Sequence, residues 1–133
     1  MRKNPEIEKI KVKELNPHEA VIEENLLKVL NSLKTDKRLK KPVIVDRDTK
    51  IILDGHHRAE AFKVLGLRKI PCLLVDYSSE RIGVRPHRNG NVSKKEVIEK
   101  GLSDKVFPPK TSKHEMDLDC EKFVDQSIAD LKR

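Results

Sequence analysis

Aromatic residues and cysteines are scarce in this sequence. Its 133 residues include no Trp, one Tyr and three Phe, so the core must be built from Leu, Ile and Val. The two cysteines, Cys72 and Cys120, lie far apart in unrelated contexts, which excludes a disulfide framework and provides no zinc-binding spacing. Cys72 stands in an apolar run and is expected to be a small buried side chain. A chain of this length can fold without crosslinks, and we expect one domain over residues 1–133.

Long apolar runs are missing as well. Residues 2–6 are polar rather than the start of an apolar signal segment, and no stretch approaches the ~20 apolar residues of a membrane-spanning helix. These absences predict a cytoplasmic protein with no membrane partner.

Charged residues, in contrast, are abundant. They make up 38% of the chain, and 29 Lys plus Arg exceed 22 Asp plus Glu to give a formal net charge of +7. A basic balance favours anionic partners such as nucleotides or nucleic acid. A solvated, thermophile-type surface is the competing explanation and accounts for most of this charge, since the sequence has a single Gln, at position 126.

Apolar residues recur with strand and helix periods along the chain. Strands are predicted over residues 6–15, 43–45, 51–53 and 70–77, with an extended segment over 81–88. Helices are predicted over residues 19–34, from Gly55 to Gly66, from Ser93 to just before Gly101, and over 120–132. Residues 39–42 are interpreted as a linker, and the prolines within 106–114 exclude a continuous helix there. The pattern predicts an α/β (α+β) fold with a small mixed sheet, helices packed on it, and 70–77 as a central strand.

The strongest candidate site follows the predicted strand 51–53, in the run Asp54-Gly55-His56-His57-Arg58. Glycine permits a sharp turn and a close approach of the backbone to a ligand. The helix that follows presents unpaired N–H groups and the positive end of its dipole, which together bind anions. Arg58 can engage two phosphate oxygens in parallel. Two histidines and an arginine on one helical turn favour a phosphate site over a solvated helix cap.

A zinc site is the rival interpretation of His56 and His57. Adjacent residues on a helix point about 100° apart, so the two rings do not grip one metal as an i, i+4 pair does. No Cys or carboxylate stands at a suitable spacing nearby. The spacing therefore argues against a structural metal.

Two further segments carry polar residues of interest. Pro17-His18-Glu19 is by itself a helix start in which the dipole favours Glu19, although the same carboxylate would suit a general base. After the Pro108-Pro109 pair, two hydroxyls lie between two lysines, which suits phosphate or carboxylate recognition as well as a basic surface loop. This second segment consists of Lys110, Thr111, Ser112, Lys113 and His114.

Taken in order, the three segments resemble the ParB/sulfiredoxin-like superfamily and, within it, the archaeal free serine kinases. The shared pattern is Pro-His-Glu, then Asp-Gly-His-His-Arg after a strand, then a late Pro-Lys-Thr-x-x-His, and it covers roughly residues 7–114. The resemblance departs in length, because only about thirty residues separate Tyr77 from the late motif, whereas the kinases carry an added region there.

The resemblance implies transfer of the terminal phosphoryl group of ATP or ADP, with Mg²⁺, to the hydroxyl of free L-serine. The product, O-phospho-L-serine, would feed cysteine biosynthesis. Glu19 would be the general base, and Asp54 would orient the reacting phosphate or hold Mg²⁺. The nucleotide would be bound by Gly55, His56, His57, Arg58, Lys110, Thr111 and His114, and the substrate by Thr111, Ser112 and Lys113.

Other members of the superfamily supply the alternatives. A ParB-like, nucleotide-dependent DNA-binding protein fits the basic charge, but it carries paired helices where Pro108-Pro109 interrupts this chain. A sulfiredoxin needs a cysteine where His56 stands, and a two-metal nuclease needs several clustered carboxylates. The preferred nucleotide, the oligomeric state and the strictness for serine over threonine or homoserine stay open.

Overall fold

The chain folds into a four-stranded mixed sheet and two short strand pairs with three helices. The computed structural model describes residues 6–86, 92–108, 112–116 and 126–127, and these counts refer to them. The strands are β1 Glu6–Lys11, β2 Arg38–Leu39, β3 Val43–Asp46, β4 Ile52–Asp54, β5 Lys69–Val75, β6 Ile82–Pro86, β7 Ser112–Met116 and β8 Gln126–Ser127. The helices are α1 Glu23–Asp36, α2 His56–Val64 and α3 Lys94–Gly101, with a 3-10 turn at Val12–Glu14.

The main sheet has the order β1-β5-β3-β4. β5 pairs antiparallel with β1 and parallel with β3, while β3 pairs antiparallel with β4, so the sheet is mixed as predicted. β5 lies inside the sheet, and all its residues after Lys69 are buried. A strand covered on both faces needs a continuous apolar run, which explains the sequence of this strand.

The core lies on both faces of this sheet. Alternate residues of β5 point to opposite faces: Cys72 packs with the cluster under α1 and α2, and Leu73 with the cluster that includes Val97 of α3. Phe62 of α2 is fully buried in the first cluster. Burial raises the pKa of the Cys72 thiol to about 12, so this cysteine is an unreactive core residue as expected.

Several predicted local features are confirmed. Ser93 caps α3, because its Oγ accepts the N–H of Glu96 at 3.2 Å and donates to Glu96 Oε1 at 3.1 Å, forming a capping box. Gly66 has a φ of 70°, the left-handed conformation expected after α2. β6 is extended within 81–88. In the parts of the chain that are described, no helix has the length and apolar character needed to cross a membrane.

Other boundaries differ from the prediction. The first helix begins at Glu23 rather than at residue 19, because residues 16–22 are extended and pair with distant segments. Leu39 is no linker residue: it is 2% exposed and belongs to β2, which pairs with β8. Gln126–Ser127 therefore form a strand within the predicted helix 120–132, whose other residues lie outside the described ranges. The first strand ends at Lys11, where the 3-10 turn begins.

Candidate functional site

The turn between β4 and α2 has the geometry expected of an anion site. Gly55 has a φ of +100°, which L-residues rarely adopt. A Cβ at this position would lie 2.9 Å from Arg58 Nη2 and 3.2 Å from Val43 Cγ2, so the turn needs glycine for space as well as for conformation. α2 begins at the next residue, and its first N–H groups have no partner within the helix.

Arg58 folds back over this turn. Its Nη2 donates to the carbonyl of Pro42 at 3.2 Å and lies 3.4 Å from Asp54 Oδ2. The Arg58 side chain is 25% exposed and that of Asp54 is 63% exposed. The Arg58 Nε is buried and has no hydrogen-bond partner within the described ranges. The arginine thus braces the turn, while the Asp54 carboxylate faces solvent.

Glu19 reaches the same region from an extended segment, residues 16–22. Asn16 N–H donates to the carbonyl of Lys50 at 2.8 Å, and Ala20 N–H donates to that of Phe107 at 2.8 Å. In return, Phe107 N–H donates to the carbonyl of His18 at 2.8 Å. These pairings hold residues 16–20 between two distant parts of the chain, and Glu19 is fixed in the middle of them.

The rings of the two adjacent histidines contact the backbone of this segment. His56 Nε2 accepts the N–H of His18 at 3.2 Å, and His57 Nε2 accepts the N–H of Ile22 at 3.0 Å. The sequence predicted these rings as phosphate donors. In the structure, their Nε2 atoms are acceptors that join the start of α2 to the Glu19 segment.

Ser112 binds Glu19 from the side of β7. Glu19 Oε1 accepts the Ser112 N–H at 2.8 Å, and the Ser112 hydroxyl lies 3.2 Å from the same oxygen. That hydroxyl is also 2.9 Å from His18 Nε2, and His18 Nδ1 donates to the carbonyl of Ile52 at 2.9 Å. Ser112 is buried. The polar groups of this residue, predicted to bind substrate, thus hold Glu19 instead.

Three imidazoles pack together beneath Glu19. The His18 ring centroid lies 4.7 Å from that of His56 and 5.6 Å from that of His114. Tyr77 O–H donates to His114 Nε2 at 2.8 Å, because His114 Nδ1 hydrogen-bonds to the carbonyl of Leu53. His18 and Tyr77 carried no assigned role in the sequence, although His18 stood inside the Pro-His-Glu motif.

Burial keeps these three rings neutral at pH 7. Desolvation lowers the pKa of His114 to about 4, with a further lowering from neighbouring His18. Burial first, then the charges of His18, His114 and His57, hold the pKa of His56 well below its ordinary value. Burial also lowers the pKa of His18, against the opposing effect of the Glu19 charge.

A cavity of about 580 Å³ opens beside Glu19 and His56, both of which line it. Its walls are mostly apolar, and four basic side chains also line it: Lys11, Lys13, Lys63 and Arg68. An apolar cleft with basic side chains suits a ligand that combines an apolar part with an anionic group. Such a ligand would lie against both the Glu19 segment and the first turn of α2.

The structure thus brings most of the predicted site residues together. Glu19, His56, Ser112 and His114 form one cluster, while Lys113 is exposed on β7. Lys110 and Thr111 lie outside the described residues. No group of three or more metal-binding side chains occurs within the described ranges. A Mg²⁺ ion at Asp54 would therefore take most of its ligands from phosphates and water, which is its usual preference.

Similar proteins place this arrangement in a known family. A family model, the ParB N-terminal domain, matches residues 3–84. A ParB-like protein of Sulfolobus acidocaldarius is 43% identical over 82 residues, 62% of this chain and 41% of that protein. An ATP-dependent L-serine kinase of Desulfurococcus mucosus is 34% identical over 80 residues, 57% of this chain and 31% of that protein. The chain spans less than half the length of these curated relatives.

Solved structures share the fold over nearly the whole chain. A free serine kinase in complex with AMP superposes with a TM-score of 0.86 at 15% identity, covering 97% of this chain and 95% of that one. A mutant free serine kinase in complex with ADP gives a TM-score of 0.82 at 14% identity, covering 98% and 95%. The family match over residues 3–84 includes both Glu19 and the turn at Gly55, and the chain belongs to the ParB N-terminal domain family.

Proposed function

We propose that this protein is a nucleotide-dependent kinase of free L-serine. The observation that supports this most directly is the position of the Glu19 carboxylate, which lines one cavity with His56 at the start of α2. Phosphoryl transfer needs positioning, charge neutralisation and a proton acceptor more than covalent chemistry by the protein. Relatives named as L-serine kinases and the fold shared with free serine kinases support the same proposal.

The start of α2 would bind the nucleotide phosphates. The backbone of Gly55, His56 and His57 and the guanidinium of Arg58 supply donors there, and the helix dipole adds positive potential. Asp54, which is exposed beside them, would contribute a carboxylate to Mg²⁺. When bound, that ion would neutralise charge on the transferred phosphoryl group.

In the proposed reaction, the serine hydroxyl oxygen attacks the terminal phosphorus of ATP or ADP. The bond from that phosphorus to the bridging oxygen breaks, and ADP or AMP leaves. Glu19 accepts the hydroxyl proton and becomes a neutral carboxylic acid, while its Oε1 stays bound to Ser112. The product is O-phospho-L-serine, which would supply cysteine biosynthesis.

The late segment would complete the site from the side of β7. We assign contacts with phosphate or with serine to Lys110, Thr111 and Lys113. Ser112 and His114 would act indirectly, since their polar atoms bind Glu19, His18 and Tyr77. Relatives are named for either ATP or ADP, so both are donor candidates.

The proposal is tested by incubating the pure protein with Mg²⁺, L-serine and either ATP or ADP, and measuring O-phosphoserine by mass spectrometry. Replacing a general base lowers turnover by about 10²–10⁴-fold, and we expect this of Glu19→Gln with nearly unchanged nucleotide affinity. Glu23→Gln, an exposed carboxylate at the start of α1, is the matched control and should keep normal turnover. Normal turnover in Glu19→Gln, or no O-phosphoserine from wild type with either nucleotide, would refute the proposal.

A ParB-like, nucleotide-dependent DNA-binding protein is the second candidate. The family match and the formal net charge of +7 favour it. It would share the nucleotide site at α2 but would leave the Glu19 carboxylate without a reaction to serve. DNA binding that requires nucleotide is therefore the property that separates the two candidates.

A further inference from the structure

We infer that His56 and His57 serve as hydrogen-bond acceptors that hold the Glu19-bearing segment, rather than as cationic side chains that bind phosphate. This assignment concerns their rings alone, because their backbone N–H groups remain directed at the start of α2. Its catalytic consequence rests on the proposed kinase function. The hydrogen bonds themselves do not depend on that function.

The two contacts have the same chemistry. In each, a backbone N–H of the segment donates to the Nε2 atom of a ring, at 3.2 Å from His18 and at 3.0 Å from Ile22. Adjacent helical residues point about 100° apart, so one helical turn reaches two places on a passing chain. The same divergence that argues against a shared metal allows the pair to hold both ends of residues 18–22.

An accepting Nε2 atom fixes the proton of a neutral ring on Nδ1. A ring that donated to phosphate through Nε2 would instead carry a proton on that atom, and the backbone N–H opposite it would lose its acceptor. One Nε2 atom of His57 cannot serve Ile22 N–H and a phosphate oxygen at once. The geometry therefore makes the two roles mutually exclusive.

Glu19 lies between the two anchored amides. Its carboxylate is set by Ser112, and its backbone is set by the pairing of His18 and Ala20 with Phe107. Releasing Ile22 N–H would loosen the end of the segment that no strand-like pairing holds. The general base would then lose alignment, while the nucleotide site at Arg58 would be little changed.

Two substitutions of His57 separate the roles in opposite directions. Gln places an acceptor oxygen near the position of Nε2 without a positive charge, whereas Lys supplies a charge without an acceptor. We expect His57→Gln to keep kcat within about tenfold of wild type. We expect His57→Lys to lower kcat roughly 10- to 100-fold, the effect of leaving one buried N–H unpaired, with little change in the KM for nucleotide.

Val64→Lys is the matched control, because it adds one positive charge at a 57% exposed position on the same helix. It should leave kcat and KM unchanged. Retained activity in His57→Lys together with a raised nucleotide KM in His57→Gln would overturn the inference, since that pattern is expected of a phosphate ligand.

A spectroscopic test does not require activity. In ¹⁵N-labelled protein without nucleotide near neutral pH, long-range proton–nitrogen spectra should show both rings protonated on Nδ1 and not on Nε2. In His57→Lys, the amide proton of Ile22 should lose its hydrogen-bonded chemical shift. Rings protonated on Nε2 would overturn the inference even if the protein proved an active kinase. Nδ1-protonated rings in a protein that makes no O-phosphoserine would support the inference and refute the proposed function.

Discussion

The residues around Glu19 show how one carboxylate is kept ionised and aimed in a partly buried site. Glu19 Oε1 accepts two donors of Ser112, and the Ser112 hydroxyl in turn lies against His18. Hydrogen bonds from neutral donors stabilise a carboxylate without a paired cation that would suppress its basicity. Burial of the histidines as neutral groups serves the same purpose, because a charged imidazolium beside Glu19 would make it a weaker base.

Neutral burial of these rings makes the stability of the protein depend on pH. The pKa of His114 falls from 6.5 to about 4 on folding, so between these values the unfolded chain binds a proton that the folded chain does not. The free energy of unfolding should therefore be unaffected by this group above pH 6.5, and should decrease as the pH falls from 6.5 toward 4. His114 contributes up to about 3 kcal/mol to that decrease.

Urea unfolding of wild type and His114→Gln at about pH 7.5 and about pH 4.5 measures this contribution. Gln keeps an acceptor for Tyr77 but does not titrate, so the variant should lose less stability over the interval than wild type. Carboxylates titrate equally in both proteins and cancel in the comparison. Identical losses would contradict a buried neutral His114.

At the scale of elements, the site is the meeting of a rigid turn with an extended segment. The turn from β4 into α2 is shaped by Gly55 and braced by Arg58, and residues 16–22 run beside it. Neither element alone brings a base near an anion site. The hydrogen bonds between them determine where Glu19 lies relative to the start of α2.

Gly55→Ala should damage this turn in two ways. The positive φ costs an L-residue about 1–2 kcal/mol, and the new Cβ would displace the Arg58 guanidinium and contact Val43. Gly66→Ala is a matched control, since its φ is also positive but no atom lies within 4 Å of the new Cβ. We expect both to lower the free energy of unfolding, Gly55→Ala by more, and only Gly55→Ala to weaken nucleotide binding in calorimetric titration. Equal effects of the two would show that space at Gly55 is unimportant.

The whole molecule carries a positive charge that a kinase and a DNA-binding protein would use differently. A kinase needs positive potential only around its cavity, where Lys11, Lys13, Lys63 and Arg68 already lie. A DNA-binding protein needs contacts along a stretch of duplex, whose release of counterions makes its affinity fall steeply with salt.

We therefore expect weak duplex DNA binding that nucleotide does not strengthen. Fluorescence anisotropy with labelled duplex at low and moderate salt, with and without ATP, measures this, and non-specific affinities of about 10⁻⁴–10⁻⁶ M are expected. A nucleotide-induced rise in affinity, or a loss of about 10³–10⁵-fold between 50 and 200 mM salt, would favour the ParB-like alternative.

Much of the fold could be predicted from the sequence where structure depends on neighbours along the chain. The turn at Gly55, the left-handed Gly66, the Ser93–Glu96 capping box and the central strand β5 are all local features, and the structure confirms them. Each depends on the conformational freedom of glycine, on a side chain reaching its own helix, or on a continuous apolar run. The resemblance added the grouping of three distant motifs into one site.

Tertiary structure decided what the isolated segments could not. Residues 19–22 have a helical pattern, yet they are extended because Phe107, His57 and other distant groups pair with the backbone of their segment. Leu39 becomes a buried strand residue through β8, and Ser112 contacts Glu19 from 93 positions away. The sequence by itself determined the strand–glycine–helix turn and the residues available for chemistry. Their roles, as base, brace or acceptor, depend on hydrogen bonds between residues far apart in the chain, which no local pattern specifies.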